Sequence, residues 1–267
     1  MADPFQNVDA AGPEFIARFA DAMEDRQADP TMEAIVAEYL SRLDPVDGGL
    51  AVEVGAGAGA VTRRIADRLT PAKVIGFEPS EGFVREARAR AGDRDNLTFE
   101  VADGSDLPLE DGAAEAVFLH TVLTHVTDPG ELIAEARRIL KPGGQLIVCD
   151  ADFSKATLSA FANDPLDVCA RLFVQEFVTD AHLVAKLPSL MAGAGLDVEH
   201  FDLCSRVVAS SEQMMPWVAA TTELLVNRGQ IGSQLADALV AEYRRRMKDG
   251  SLYGYQAFAT CVARKPA

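Results

Sequence analysis

Five short apolar runs alternate with amphipathic segments between residues 50 and 150. The runs predict buried strands, and the segments carry apolar residues at helical spacing. Strand and helix in alternation are typical of a parallel, doubly wound α/β sheet with right-handed crossovers. The predicted strands are Leu50–Val54, Lys73–Glu78, Leu97–Ala102, Ala114–His120 and Gln145–Asp150, and the predicted helices between them are Ala58–Leu69, Glu81–Ala91 and Pro129–Leu140.

The chain before residue 50 predicts two helices. Residues 1–12 have the pattern of a loose leader, and apolar spacing then predicts a helix over Pro13–Gln27. Asp29-Pro30 is a helix-start signal for a second helix over Thr31–Leu43. Asp44-Pro45 and Asp47-Gly-Gly49 should end that helix. Both helices could simply pack on the sheet, or the first could close over a ligand site as a lid.

The second half of the chain is less regular. We predict one or two inserted helices within 153–178, a helix over Thr179–Ala194, a strand over Leu196–Val208, a helix capped by Ser210-Ser211, a helix over Ser233–Met247 and a closing strand over Tyr255–Ala263. Met214, Met215 and Trp217 form a soft apolar group in the capped helix. Such a group is either core or part of a cap for a bulky apolar substrate.

A glycine-rich turn follows the first strand, in the sequence Leu50-Ala-Val-Glu-Val-Gly-Ala-Gly-Ala-Gly59. Glycine is needed where a Cβ would block a tight turn or a ligand lying against the backbone. The free N–H groups at the start of the next helix suit a polar or anionic ligand. The turn alone is a weak signal, because it also satisfies the loose dinucleotide pattern G-x-G-x-x-G/A.

Three acidic residues lie at the ends of predicted strands. Glu53 precedes the glycine turn, Glu78 ends the second strand and Asp103 follows the third. The carboxyl ends of parallel strands share one edge of a sheet, where ligands of such folds bind. A carboxylate at Glu78 can accept hydrogen bonds from the two hydroxyls of a ribose. An acidic cleft of this kind disfavours a bare pyrophosphate and favours a ligand with a positive centre and sugar hydroxyls.

Four segments together resemble the successive motifs of class I S-adenosylmethionine-dependent methyltransferases, in the branch that acts on small molecules. They are Glu53-Val-Gly-Ala-Gly-Ala-Gly59, Gly76-Phe-Glu-Pro-Ser80, Val101-Ala-Asp-Gly-Ser-Asp-Leu-Pro108 and Arg138-Ile-Leu-Lys-Pro-Gly-Gly144. The resemblance covers roughly residues 48 to 150 and implies a mostly parallel, seven-stranded Rossmann-like sheet with an antiparallel last strand and helical cap insertions. We therefore treat residues 1–267 as a single methyltransferase domain, with N-terminal helices over 1–47, a cofactor-binding core over 48–150 and a substrate-side half over 151–267.

The resemblance also assigns residues to S-adenosylmethionine. It implies that Gly55, Gly57 and Gly59 pass against the methionine part, and that Glu53 helps to place the amino group. It implies that Glu78 holds the ribose, while Asp103 and the backbone of Gly104 meet the adenine. Ala56 and Pro79 lie in the same motifs, and His120 follows the fourth strand, so these are further candidate cofactor contacts. S-adenosylhomocysteine would be the product.

His120 and His125 are the candidate catalytic residues on the acceptor side. Methyl transfer from a sulfonium is an in-line displacement in which positioning is the main task, and a base matters only if the acceptor carries a proton. An unperturbed imidazole could take that proton, or either histidine could simply hydrogen-bond its loop. Asp150 and Asp152 follow the fifth strand, where they could bind a cationic acceptor or cap an inserted helix.

Composition narrows the class of protein. The chain is 48% apolar and 25% charged, which fits a globular protein, and its formal net charge of −16 disfavours nucleic acid and anionic membrane surfaces as partners. Four widely spaced cysteines without a C-x-x-C pair indicate reduced thiols, and nothing at the N-terminus marks export, so we expect a cytoplasmic protein. We predict no metal site, and we allow for a homodimer.

Methyl transfer to a small molecule, including acceptors of secondary metabolism, is the function that these patterns favour. An NAD(P)-dependent oxidoreductase would share the glycine turn and Glu78, but the acidic cleft and the Lys-Pro-Gly-Gly turn count against it. A protein of this fold could also bind S-adenosylmethionine and catalyse a reaction other than methylation. The motifs do not exclude this alternative, because they concern cofactor binding and not the acceptor.

Overall fold

Seven strands form one sheet in the order β3-β2-β1-β4-β5-β7-β6 in the computed structural model, which describes residues 4–46 and 48–267. β7 is antiparallel to both of its neighbours, and the strands from β3 to β5 are parallel. The seven-stranded, mostly parallel sheet and its antiparallel last strand are confirmed. The strands are β1 (Leu50–Val54), β2 (Lys73–Glu78), β3 (Leu97–Val101), β4 (Ala114–His120), β5 (Leu140–Thr157), β6 (Asp197–Val208) and β7 (Gly254–Arg264).

Helices cover both faces of this sheet. They are α1 (Pro13–Gln27), α2 (Pro30–Ser41), α3 (Ala60–Leu69), α4 (Glu81–Arg90), α5 (Pro129–Ile139), α6 (Pro165–Phe177), α7 (Leu183–Gly193), α8 (Met215–Asn227) and α9 (Ser233–Asp249). The Asp29 carboxylate accepts a hydrogen bond from the Thr31 amide at 2.8 Å, which confirms the predicted start of α2. Asp47, assigned above to the turn after α2, lies outside the described residues, as do residues 1–3. Within the described ranges, no helix is long and apolar enough to span a bilayer.

Alternation along the central strands divides the core into two layers. Because successive side chains of a strand point to opposite faces, Phe118 and Ile147 pack with α2 and α3, whereas Leu119 and Val148 pack with α5 and α7. Both faces are therefore apolar, which explains why these strands read as continuous apolar runs.

The strand order reverses between β1 and β4. β1 continues to β2 on one side, and β4 continues to β5 on the other. The loops that leave β1 and β4 therefore diverge and open a crevice at the carboxyl ends of the strands, where ligands of open α/β sheets bind.

Three sequence predictions need correction. Residues Pro4–Ala11 are not a loose leader but form a 3₁₀ segment. β5 does not end at Asp150, because it continues to Thr157 as the antiparallel partner of β7, and a single helix, α6, follows it. The turn expected at Lys141–Gly144 belongs to the irregular start of β5.

The 3₁₀ segment is tied to the sheet through Asp9. Its carboxylate accepts hydrogen bonds from the Ser80 hydroxyl (2.9 Å) and from the amides of Glu81 (2.9 Å) and Gly82 (3.0 Å) at the start of α4. Burial alone would raise the pKa of Asp9, but these hydrogen bonds lower it. A carboxylate at a helix N-terminus satisfies amides that the helix itself leaves free. Val8 packs beside it against the first turn of α1 and the glycine turn.

Candidate active site

A cavity of about 520 Å³ occupies the crevice between the ends of β1 and β4. This volume is within the range of small-molecule sites. The loops after β1, β2, β3 and β4 form its walls, and α1 with the 3₁₀ segment covers it. The residues used below that line it are Phe5, Val8, Met23, Arg26, Glu53, Gly55, Ala56, Gly57, Glu78, Pro79, Asp103, Gly104, His120, Thr121, His125, Asp128 and Glu131.

The glycine turn is built around two residues in the left-handed region. Gly55 and Gly57 have φ of 74° and 53°, and a Cβ added at these positions would come within 2.5 Å of Val122 and 2.9 Å of Met23, respectively. The amides of Gly55 and Ala56 donate to the carbonyl of Phe77 in β2, at 2.8 and 2.9 Å. The amides of Gly55 and Ala56 are therefore hydrogen-bonded within the protein and are not free for a ligand.

Glu78 locks the turn to the next strand. Its Oε2 accepts from the Gly57 amide and its Oε1 from the Ser80 amide, both at 3.0 Å, and the residue is 7% exposed. Burial raises the pKa of Glu78 to about 7 in spite of these bonds. The amides of Gly57 and Ser80 are therefore bonded to a carboxylate of the protein and are not free for a phosphate of a ligand.

Glu53 is the most deeply buried acid of the cavity, with 2% exposure. Its Oε2 has no hydrogen-bond partner among the described residues. Burial, and to a lesser extent the neighbouring Glu78 carboxylate, raises the pKa of Glu53 to about 8. A buried acceptor without a donor is costly, so this position suits a ligand that brings a positively charged donor.

Asp103 lines the cavity from the loop after β3. Hydrogen bonds from the Ser105 amide (2.9 Å) and hydroxyl (2.8 Å) lower the pKa of Asp103 and fix its Oδ1. Asp128 and Glu131, at the start of α5, add two further carboxylates to the lining. The acidic edge predicted from the strand ends is therefore longer than the three residues that suggested it.

His120 is buried at the end of β4. Its Nδ1 lies 3.3 Å from the Tyr39 hydroxyl, and its Nε2 has no partner within the described part of the chain. Burial, with the positive charges of Arg26 and Arg64, lowers the pKa of His120 to about 3. The structure therefore holds a neutral ring, and not the unperturbed imidazole considered above. Such a ring is a poor proton acceptor but can give or accept one hydrogen bond in the cavity.

His125 also lines the cavity and lies in a 3₁₀ turn over Leu123–His125. Its ring contacts Phe5 and Phe153, with centroid distances of 4.8 and 6.1 Å. Asp150 fixes the turn, because its carboxylate accepts from the Thr124 amide (3.2 Å) and hydroxyl (2.9 Å). Asp150 therefore supports the loop that carries His125; it neither lines the cavity nor caps an inserted helix.

Three other sequence candidates fall outside the cavity lining. Gly59 (φ 78°) begins α3, and a Cβ there would come within 2.5 Å of the Phe99 ring, so helix–strand packing explains this glycine. Asp152 holds Ser154 in the extended end of β5. Trp217 is buried and stacks on Phe173 at 4.7 Å, which makes the methionine–tryptophan group part of the core.

Sequence reasoning missed the residues that cover the cavity. Met23 and Arg26 enter it from α1, and Phe5 and Val8 enter from the 3₁₀ segment. A signal for Arg26 did exist, because it continues the stripe of Phe19 and Met23 by one helical turn. Thr121, which receives a hydrogen bond from Arg26, has φ of 54° without being glycine. Such strain clusters at functional sites, but it has no signature in the sequence.

The cavity fits S-adenosylmethionine. The cofactor carries an ammonium and a sulfonium. Among the described residues, the cavity is lined by one guanidinium, that of Arg26, and by five carboxyl groups, those of Glu53, Glu78, Asp103, Asp128 and Glu131. The unpartnered Oε2 of Glu53 could accept from an ammonium, and the outward lone pairs of Glu78 could accept from ribose hydroxyls. The donor and charge requirements of the site and of the cofactor are complementary.

Comparison with known proteins agrees with this geometry. Residues 52–148 match the family model described as a methyltransferase domain. A demethylmenaquinone methyltransferase of Clavibacter sepedonicus is 26% identical over 179 residues, which cover 66% of this chain and 66% of that protein. An uncharacterised 37.1 kDa protein of transposon TN4556 from Streptomyces fradiae is 37% identical over 120 residues, covering 45% of this chain and 35% of that protein.

Solved structures show the same fold. The phosphoethanolamine N-methyltransferase 2 of Haemonchus contortus, in complex with phosphomonomethylethanolamine and S-adenosylhomocysteine, superposes with a TM-score of 0.60 and 18% identity. The superposition covers 98% of this chain and 59% of that one. At this identity the likeness concerns the fold alone. The chain spans between 35% and 66% of the length of the two curated relatives.

The fold and the cavity define a Rossmann-like α/β protein with an acidic site at its switch point. Residues 52–148 match a methyltransferase domain, and a curated relative and a solved structure to which the chain is similar are methyltransferases.

The raised pKa values of Glu53 and Glu78 predict how stability depends on pH. The unfolded chain ionises both groups near 4.5, whereas the folded protein keeps their protons until about pH 8 and 7. Folded protein thus binds more protons than unfolded protein in this window, so the contribution to stability is complete below about pH 4.5 and is lost as the pH rises through 7 to 8. We expect the melting temperature of the ligand-free protein to fall over this range.

Glu53→Gln should flatten that fall by a few degrees, because ~1 kcal/mol shifts the melting temperature of a domain this size by roughly 2–4 °C. Glu100→Gln, on the exposed side of β3, is the matched control and should reproduce the wild-type curve. Differential scanning fluorimetry at closely spaced pH values measures both. Parallel curves for wild type and Glu53→Gln would contradict the assignment.

Proposed function

We propose that this protein transfers a methyl group from S-adenosylmethionine to a small-molecule acceptor and releases S-adenosylhomocysteine. The observation that carries the proposal is the Glu78 carboxylate bonded to the Gly57 amide. It places a negative group inside the glycine turn, where it favours a cationic nucleoside with ribose hydroxyls. When bound, the cofactor supplies a methyl group on a positively charged sulfur, which is already an activated leaving group.

The cofactor-binding assignments from the sequence remain proposals for individual residues. Glu53 would accept from the amino group and Glu78 from the ribose, and Asp103 with Gly104 would meet the adenine. Gly55, Ala56, Gly57 and Pro79 would form the surface against which the cofactor lies, and all of them line the cavity. The protein's own contribution is to hold these groups rigidly, since a displacement depends mainly on alignment.

The two competing functions fit the site less well. An NAD(P)-dependent oxidoreductase needs turn amides for a pyrophosphate, but the amides of Gly55, Ala56 and Gly57 already donate within the protein. A reaction other than methylation would use the same cofactor cavity. Product analysis separates it from methyl transfer, because only methylation converts S-adenosylmethionine to S-adenosylhomocysteine in step with acceptor consumption.

The acceptor that the site favours is apolar and aromatic. Phe5, His125 and Phe153 bring their rings together beside the cavity. One curated relative is described as a demethylmenaquinone methyltransferase, which supports an acceptor of this kind, and acceptors of secondary metabolism are included in the proposal.

His125, half-buried on the turn that Asp150 supports, is the better candidate for a base. His120 would position the cofactor or acceptor by a neutral hydrogen bond.

Binding of S-adenosylhomocysteine tests the function at its first step. We expect wild-type protein to bind it, and Glu78→Ala to weaken binding by about 1–3 kcal/mol, the cost of stranding charged hydrogen-bond partners. Isothermal titration calorimetry measures the affinity, and Glu100→Ala is the control. An undiminished affinity of Glu78→Ala would remove this residue from the site, and no binding by wild type would remove the cofactor.

Methyl transfer itself is tested with methyl-labelled S-adenosylmethionine and a panel of phenols and quinols. If His125 removes a proton, His125→Ala should lower turnover by about 100-fold at unchanged cofactor affinity, and a Gln variant should not restore it. His120→Asn, which keeps a neutral hydrogen-bonding group, should retain most of the turnover that His120→Ala loses. An equal loss of turnover and cofactor affinity in either histidine variant would make that residue structural.

We also propose that α1 and the 3₁₀ segment act as a lid, because they cover the cavity and Asp9 fastens them to α4. Asp9→Ala should cost about 1 kcal/mol, as loss of a helix cap does. It should also speed S-adenosylhomocysteine dissociation several-fold. Hydrogen exchange over residues 4–11 and stopped-flow dissociation are the measurements, with Asp237→Ala on the exposed face of α9 as control. Unchanged exchange and dissociation would show a fixed cover.

The partners and location complete the proposal. Cys149, Cys169 and Cys261 are buried free thiols and Cys204 is exposed, which supports a reducing, cytoplasmic location.

β6 is an edge strand whose outer face exposes Phe201, Leu203 and Val207. Its backbone edge could pair with the same strand of a second copy, so we propose a homodimer. Sedimentation as a monomer at micromolar concentration would exclude it.

A further inference from the structure

Tyr39 and His120 form a buried pair beside the cavity. Tyr39 belongs to α2 and is 1% exposed, and its hydroxyl lies 3.3 Å from Nδ1 of His120, which is 5% exposed. Burial raises the pKa of Tyr39 well above its ordinary value, so the phenol keeps its proton. Among residues 4–46 and 48–267, Nδ1 of His120 is the one hydrogen-bond partner of this hydroxyl.

This contact fixes which nitrogen of His120 carries the ring proton. A neutral imidazole has one N–H group and one bare nitrogen, and a phenol has one O–H group. If Nδ1 were the donor, the phenol proton would be buried without an acceptor, whereas donation from Tyr39 to Nδ1 satisfies that proton. We therefore assign the donor role to Tyr39, which leaves the ring proton of His120 on Nε2.

The Nε2–H group of His120 is buried and has no partner within the described part of the chain. The described residues that line the cavity include His120 and not Tyr39, so the Nδ1 side of the ring is turned toward α2 and the Nε2 side is available to the cavity. Unpaired buried N–H groups are rare in folded proteins. This one therefore points to a hydrogen-bond acceptor that a ligand brings.

The ring can hold such a ligand atom but cannot deprotonate it. Burial, with the positive charges of Arg26 and Arg64, lowers the pKa of His120 to about 3, so the ring is neutral at physiological pH. An oxygen with a free lone pair satisfies a neutral N–H group, whereas an ammonium or amide N–H would place donor against donor. Glu53 and Glu78 already offer acceptors to the donors of the cofactor, so the donor at His120 is left for a different molecule.

We propose that His120, with its tautomer set by Tyr39, receives an oxygen of the methyl-acceptor molecule through Nε2–H. Tyr39 is then a positioning residue, because it acts through His120. The proposal rests on the function proposed above, and it narrows the methyl acceptor to aromatic molecules that carry a phenol or carbonyl oxygen. It also separates two tasks, because His120 holds the oxygen while His125 is the candidate base.

The tautomer is tested first, in ligand-free protein, by long-range ¹H–¹⁵N NMR of the imidazole rings. The chain has four histidines, and the spectrum of His120→Asn identifies the His120 signals by their loss. We expect the Nε2–H pattern in wild type and an admixture of the Nδ1–H pattern in Tyr39→Phe, which lacks the donor. Tyr253→Phe, at an exposed tyrosine, is the matched control and should keep the wild-type pattern. An Nδ1–H pattern in wild type would overturn the proposal.

Ligand contact is tested with phenol and toluene, which have the same shape but carry a hydroxyl and a methyl group, respectively. With S-adenosylhomocysteine present, phenol should move the Nε2 proton of His120 downfield, and toluene should not. Tyr39→Phe should weaken phenol binding several-fold at unchanged affinity for S-adenosylhomocysteine, whereas a merely structural role of Tyr39 would weaken both. A downfield move caused by S-adenosylhomocysteine alone would assign the hydrogen bond to the cofactor. That result, or an equal response to phenol and toluene, would also overturn the proposal.

Folding and the proposed function are judged separately. Thermal melting followed by circular dichroism reports whether Tyr39→Phe is folded, and if it is not, the wild-type titrations with phenol and toluene still decide the question. The phenol titration is also run without S-adenosylhomocysteine. A phenol-dependent shift of His120 in a protein that does not bind S-adenosylhomocysteine would sink the proposed function and leave the oxygen contact standing.

Discussion

The hydrogen bond from the Gly57 amide to the Glu78 carboxylate joins the ends of β1 and β2 at the carboxyl edge of the sheet. It ties the turn after β1 to the end of β2, and the other oxygen of the same carboxylate accepts from Ser80 at the start of α4. One side chain therefore fixes the glycine turn, the strand end and the helix entry at once. The amides of Gly57 and Ser80 are thereby bonded to a carboxylate of the protein and are not free for a phosphate. The negative charge of this carboxylate disfavours an anion and favours a cation.

A second buried acid, Glu53, lies near Glu78 in the cavity. Glu53 is buried deeply enough that it keeps its proton to about pH 8, and Glu78 does so to about pH 7. A cation that enters such a site lowers both pKa values and releases protons, so affinity and pH are coupled. The glycine turn can be rigid because its amides are already bonded to Phe77 and Glu78. The site is therefore largely formed before a ligand arrives.

The sequence predicted those parts of the molecule that follow from local pattern. The bounds of β1, β2, β4 and α1 agree with the predicted segments, because buried parallel strands and capped helices have short-range signals. The acids at strand ends were found for the same reason. The first helix was considered as a lid, but the residues that cover the cavity were not identified, since their positions depend on long-range contacts such as Asp9 with the start of α4. At Gly59 a Cβ would come within 2.5 Å of the Phe99 ring, and sequence alone cannot distinguish a glycine that this packing requires from one that a ligand requires.

The part of the cavity around Arg26 and His120 was the least predictable, because its properties depend on burial and on backbone strain at Thr121. The hydrogen bonds of Arg26 and His120 are made to Thr121 and Tyr39, which bring α1, α2 and the end of β4 together. The sequence around each residue does not indicate this environment. Their unpartnered atoms, with Glu53 Oε2, are the buried polar atoms of the cavity that the described residues leave unsatisfied. Each costs free energy in the ligand-free protein. Because a ligand with complementary donors and acceptors removes these costs together, the instability of the empty cavity and the affinity for its ligand have the same physical origin.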